Sequence, residues 1–256
     1  MWGGGIPVVN CEQLGKLIND NGYRALIILC VGVNQGTVKS IYCDLVKLNI
    51  EADVYDYFEN TYVFCDTHFI IGNKKFMLYK HSYNCGYIDG RMTERSVELA
   101  LAREYLKECR NSVVEVGAVT PYYFEDEKIQ DVIDPTDKHN RVSVRKSLFE
   151  YSFFGKNVLS ISTVEHVGLN DYGMREKYSA IDAIEKILVE SESCLITAPL
   201  GYNETLDNWV EKNRKNKNVR VLKRKINNQW EALPTGYFEK ILYGPLWACG
   251  LVIIFK

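Results

Sequence analysis

Apolar positions follow two rhythms along this chain. Residues 23–31 form a near-continuous apolar run, which predicts a strand. Residues 11–21 predict a short helix capped by Asn10, residues 37–48 a second helix, and residues 51–57 a second strand. Strand, helix and strand in that order make a small α/β unit over residues 1–60. Residues 61–80 alternate apolar and polar around Gly72-Asn73, a pattern for a β-hairpin, and glycine at the first central position suits a type II′ turn. A connector rich in Tyr, Asn and Gly runs to residue 90. Over residues 94–109 the period lengthens, with Val97, Leu101, Tyr105 and Leu106 on one stripe, predicting an amphipathic helix behind Thr93.

From residue 112 the two rhythms alternate. Short apolar runs at 112–116, 131–133, 158–162 and 194–198 predict strands. Residues 175–190 and 206–217 predict helices between and after them. Strands at 219–225 and 251–255, with a turn at Asn227-Asn228, close the pattern. Strands separated by helices imply an α/β domain over residues 91–256 with a mainly parallel sheet. The hairpin-like end implies an antiparallel C-terminal strand.

Composition narrows the class. Of 256 residues, 46% are apolar and 25% charged, as in ordinary globular domains. No apolar run approaches the ~20 residues of a membrane-spanning helix, and the first residues lack a signal-peptide pattern. The expectation is a cytoplasmic protein with no membrane partner. A net charge of −2 provides no global field for nucleic acid. Eight cysteines are widely spaced without a Cys-x-x-Cys pair, so buried thiols are expected rather than a disulfide framework or a zinc site. Residues 32–40 echo a phosphate-binding loop, but the glycines are one residue too close and Lys39 is displaced, so nucleotide triphosphate binding is not expected.

In open α/β sheets, ligands bind beyond the carboxyl ends of the strands. Those ends hold Glu115-Val116-Gly117, then Asp134 seventeen residues after Gly117, then Ser160 to Thr163 followed by Glu165-His166, and finally Pro199 to Asn203. An acid at the distance of Asp134 suits hydrogen bonds to ribose hydroxyls. A basic run from Lys212 to Lys225 reads as a solvated face, or as an anion-attracting rim for a phosphorylated substrate. Tyr122 and Tyr123 read as packing or as stacking groups.

With those stretches, and residues 93–99 before them, the chain from about residue 90 resembles the class I S-adenosylmethionine-dependent methyltransferases, closest to the small-molecule and sugar type. The resemblance implies a Rossmann-like methyltransferase sheet and S-adenosylmethionine as cofactor. It implies methyl transfer to a small-molecule or sugar hydroxyl. It further implies that Gly117 lets the backbone approach the methionine part of the cofactor and that Glu115 anchors its amino end. Asp134 would bind the ribose, and Ser162 and Thr163 would line the pocket below the sulfonium. Glu165 and His166 would flank the transfer position, His166 being the general base. The turn after Glu115 carries one glycine, and residues 145–148 carry no carboxylate for adenine. A second reading therefore stands beside the first: a methyltransferase-like domain that binds or scaffolds without catalysis.

Overall fold

The computed structural model describes residues 13–14, 16, 20, 25–29, 52–56, 61–62, 68–83, 90–171, 177–225, 228–243 and 248–256. The helix expected at 37–48 and the near-miss loop at 32–40 lie outside them, as do most of the helix expected at 11–21 and Arg175. Two compact units are present, residues 1–66 with 225–229, and residues 67–224 with 230–256.

In the first unit, β1 (Ala25–Leu29) pairs in parallel with β2 (Ala52–Asp56), from Ala25 opposite Ala52 to Leu29 opposite Asp56. The two-residue β3 (Thr61–Tyr62) returns antiparallel to β2.

The second unit is built on nine strands. β4 (His68–Ile71) and β5 (Lys74–Met77) form the expected hairpin. Gly72 at its turn has φ +59°, while Asn73 keeps a negative φ, which is the type II′ pattern. Then follow β6 (Val113–Val116), β7 (Ile129–Ile133), β8 (Asn157–Ile161) and β9 (Ser193–Pro199). The last three are β10 (Val219–Arg224), β11 (Trp230–Ala232) and β12 (Gly250–Phe255). Their order across the sheet is β5-β4-β11-β10-β12-β9-β8-β6-β7.

The sheet is mixed, which corrects the expectation of a mainly parallel one. β7, β6, β8 and β9 are parallel neighbours. β12 runs antiparallel between β9 and β10, and β11 is antiparallel to β10. The hairpin then joins through a short parallel pairing of β11 with β4. The 230–232 strand was not legible as an element, because three residues are too few to show a rhythm.

Among the described residues, three α-helices cover the sheet. α1 (Glu94–Glu108) packs on one face, where Val97, Leu101 and Leu106 meet Val113, Leu159, Leu195 and Ile253. α2 (Ala180–Glu190) and α3 (Glu204–Asn213) belong to the opposite face, where Ile184, Ile187, Leu206 and Val210 share a core with Val114, Val158, Ile196 and Ile254. Neighbours such as Val113 and Val114 thus serve opposite cores, as the two-residue period of a strand requires. Covering both faces explains why these strands read as continuous apolar runs.

Helix starts follow capping chemistry. Ser179 and Asp182 form a reciprocal capping box, so α2 begins at Ala180. Asn203 Oδ1 accepts from the N–H groups of Thr205 and Leu206 and starts α3. Thr93 sits at the N-cap of α1, but its hydroxyl donates to the Gly90 carbonyl instead. Cys109 and Cys194 are free and buried, and Cys249 is partly buried.

Candidate functional site

Strand order places one cleft. After β6 the chain steps outward to β7, then crosses back to β8 on the other side of β6. Such a reversal leaves a crevice beyond the carboxyl ends of the strands. A cleft of about 340 Å³ lies there, lined by Val116 and Gly117, by Ile133 and Asp134, by Ser162 and Thr163, and by Pro199. That volume lies in the roughly 300–1,000 Å³ range of small-molecule sites.

The wall after β6 is a tight turn. Gly117 has φ +84°, and its N–H donates to the Ile133 carbonyl at 2.8 Å. A Cβ on Gly117 would stand 2.6 Å from Thr163 Cγ2 and closer still to Thr163 Oγ1. Packing on Thr163 therefore demands glycine before any ligand is considered. Glu115 is fully buried beneath the turn and does not line the cleft. Its Oε1 accepts from the N–H groups of Val119 (3.1 Å) and Thr120 (2.7 Å), and its Oε2 from the Thr120 hydroxyl. Burial pushes the Glu115 carboxyl up to about 7, against the pull of those donors. Glu115 holds the turn rather than reaching a ligand.

Asp134 lines the cleft from the end of β7. Its Oδ1 accepts from Thr136 N–H, the Thr136 hydroxyl and Asp137 N–H at 2.8, 3.1 and 2.8 Å. Its Oδ2 accepts one longer bond, from Ala118 N–H at 3.2 Å. The carboxylate thus ties two strand ends together and keeps acceptor capacity on Oδ2. Tyr122 donates to both carboxyl oxygens of Asp137 and stacks on Tyr83, so it packs behind the wall; neither it nor Tyr123 lines the cleft.

The floor after β8 is strained. Ser162 has φ +38°, uncommon for a side chain with a Cβ and characteristic of functional turns. Its hydroxyl donates to Glu98 Oε1 at 2.7 Å, and Thr197 donates to the same oxygen at 2.8 Å. Glu98 is fully buried, and its Oε2 forms an ion pair with Arg95 Nη1 at 2.9 Å, out of line for a hydrogen bond. Thr163 donates to the Ile161 carbonyl.

A 3₁₀ turn, Val164–His166, carries the reactive-looking groups. His166 Nδ1 is 2.8 Å from Asp171 Oδ2, and the Tyr202 hydroxyl donates to the same oxygen at 2.7 Å. Those two bonds hold the Asp171 carboxyl below its usual range. His166 Nε2 lies 3.6 Å from Glu165 Oε1. Glu165 is 1% exposed, and its Oε2 has no hydrogen-bond partner. Burial drives its carboxyl well above the usual range, and the nearby Glu98 and Glu94 add to this while Arg95 opposes it. Tyr243 lines the same end, its phenol pushed up to about 12 by burial and by Glu94 and Glu165.

Of the seven residues singled out in the sequence, Gly117, Asp134, Ser162, Thr163, Glu165 and His166 line the one cleft, and Glu115 supports it from below. Sequence reasoning passed over Asp171 and Tyr243, and it assigned no role to Glu94, Arg95, Glu98 and Tyr202, although they lie in the stretches that carry the resemblance. Asp171 had a usable signal: a carboxylate five residues after a histidine, within a turn. None of the basic run from Lys212 to Arg224 lines the cleft; Lys223 pairs with Glu239 at 3.1 Å, and Arg224 is buried.

No family model, curated protein or solved structure matches this chain.

Proposed function

We propose that the chain from about residue 91 to 256 forms an S-adenosylmethionine-dependent methyltransferase domain acting on a hydroxyl of a small molecule or sugar. The observation that carries this reading is that Asp134 and His166 line a single cleft at the strand-order reversal, with His166 held from behind by Asp171. The parallel block β7-β6-β8-β9, followed by an antiparallel β12, supports a Rossmann-like methyltransferase sheet.

The residues fit such a cofactor. Asp134 Oδ2 has capacity for ribose hydroxyls. When bound, the cofactor supplies a methyl group already activated for transfer. The chain then has to align a nucleophile and take its proton. In this assignment Asp171 fixes the His166 ring through Nδ1, which leaves Nε2 as the proton acceptor. Asp171 also stabilises the imidazolium that forms, the same logic by which a buried carboxylate serves a histidine base elsewhere. Ser162 and Thr163 shape the floor through their bonds to Glu98 and Ile161.

Calorimetric titration with S-adenosylhomocysteine tests the reading. Saturable binding, weakened about tenfold or more in Asp134→Ala through loss of a charge-assisted contact, is the expected result. No binding at millimolar concentration would overturn the enzyme and leave a domain that binds or scaffolds without cofactor.

A further inference from the structure

Beyond the methyl-transfer reading, the far half of the cleft has a charge pattern of its own. It is lined by Glu94, Arg95, Glu165, His166, Tyr202 and Tyr243. The Arg95 charge is already balanced, because its ion pair is with Glu98 in the core behind the cleft. That leaves the Glu94 and Glu165 carboxyls, both raised by burial, with no guanidinium or ammonium group at ion-pair distance among the described residues. Glu94 Oε2 accepts a single backbone N–H, from Ala248 at 3.1 Å. Glu165 Oε2 accepts none although the residue is 1% exposed. A buried carboxyl oxygen left unsatisfied is costly, and native structures keep few of them. A ligand donor is the simplest group to complete it.

We propose that this half of the cleft binds a cationic nitrogen, so that the acceptor is an amine-bearing molecule and not a phosphorylated one. Two carboxyl groups beside two tyrosine rings are the surroundings that recognise an ammonium group, by charge and by the ring faces. The opposite wall adds Asp134 and Asp137, which would repel a phosphate. The basic residues that could attract one, from Lys212 to Arg224, are not in the lining. The raised Glu165 carboxyl is consistent with this: an arriving cation offsets the burial and the neighbouring carboxylates that now disfavour its charge. The inference names the acceptor class for the proposed transfer, but the site it describes does not need the cofactor in order to bind.

The test uses the full chain and three minimal probes of equal length: butylammonium, butanol and butyl phosphate. Affinities are read by ligand-observed NMR at neutral pH, with and without S-adenosylhomocysteine. The expected order is ammonium first, by on the order of tenfold over the alcohol, with the phosphate weakest. Glu165→Gln, which keeps the side-chain shape, should erase the ammonium preference. The proposal is overturned if the ammonium does not bind, if the alcohol or phosphate binds as well, or if the preference survives in Glu165→Gln. The wild-type series decides alone should the variant not fold. Failure of S-adenosylhomocysteine to bind overturns the methyltransferase reading only, since the probe series without it still decides the cation site.

Discussion

Replacing Gly117 by alanine separates two costs that the structure combines at one position. The first is conformational. At φ +84° a residue with a Cβ is in the left-handed region, which costs about 1–2 kcal/mol. The second is steric. The added Cβ would meet Thr163 Cγ2 at 2.6 Å and Thr163 Cβ at 2.8 Å, with Oγ1 nearer still. Overpacking of that kind costs typically about 1–3 kcal/mol. Gly117→Ala should therefore destabilise the domain by about 2–5 kcal/mol in urea unfolding. Thr163→Ala removes Oγ1 and Cγ2 while leaving the φ strain and the 2.8 Å contact with Cβ, so the double variant should recover the share of the steric cost that those two atoms impose. The coupling energy in the double-mutant cycle should be about 1–3 kcal/mol, in the favourable direction. If the two substitutions add without coupling, Thr163 is not what makes Gly117 obligatory, and the turn must be shaped by something else. Binding of S-adenosylhomocysteine to the folded double variant then reports whether the turn also serves a ligand.

Four further outcomes follow from the site. His166→Ala should lower turnover by about 10²–10⁴-fold, the usual worth of a general base, with little change in cofactor affinity, and Asp171→Asn should lower turnover in the same direction while shifting the pH–rate profile. Ser162→Ala removes a hydrogen bond to the buried Glu98 carboxylate and should cost about 1.5–3 kcal/mol in chemical denaturation; a loss well under 1 kcal/mol would show that bond to be idle. Glu115 gives a pH signature. Its carboxyl is raised from 4.5 to about 7 in the folded protein, so the folded state holds more protons than the unfolded state between those values, and stability falls as pH rises through that window. Stability measured from pH 4 to 8 should fall less steeply in Glu115→Gln than in the wild type, and parallel profiles would refute the burial argument.

How much of this was readable from residues alone differs between elements. The strand at 113–116 and its neighbours announced themselves because a buried strand is an uninterrupted apolar run, and the observed ends lie within about two residues of those expected. The hairpin at Gly72 was readable because its turn needs one particular backbone sign. The start of α2 was set by a local capping box, although the apolar stripe alone extended it too far back.

The sequence by itself determined where most strands and helices of the larger unit lie and which strand ends carry polar groups, because periodicity and turn chemistry act between residues a few positions apart. Only the tertiary structure decided strand direction, since an apolar run is the same whether its neighbour is parallel or antiparallel; hence the mixed sheet. It also decided the charge pattern of the cleft. Arg95 and Glu98 look like an ordinary exposed helix face, yet Glu98 is fully buried and takes its hydrogen bonds from Ser162 and Thr197, 64 and 99 residues away. Contacts of that range form only when β8, β9 and α1 pack together, and no local rhythm encodes them. The unpartnered Glu165 carboxyl arises in the same way: its cost is set by the elements that exclude water around it, not by its neighbours in the chain.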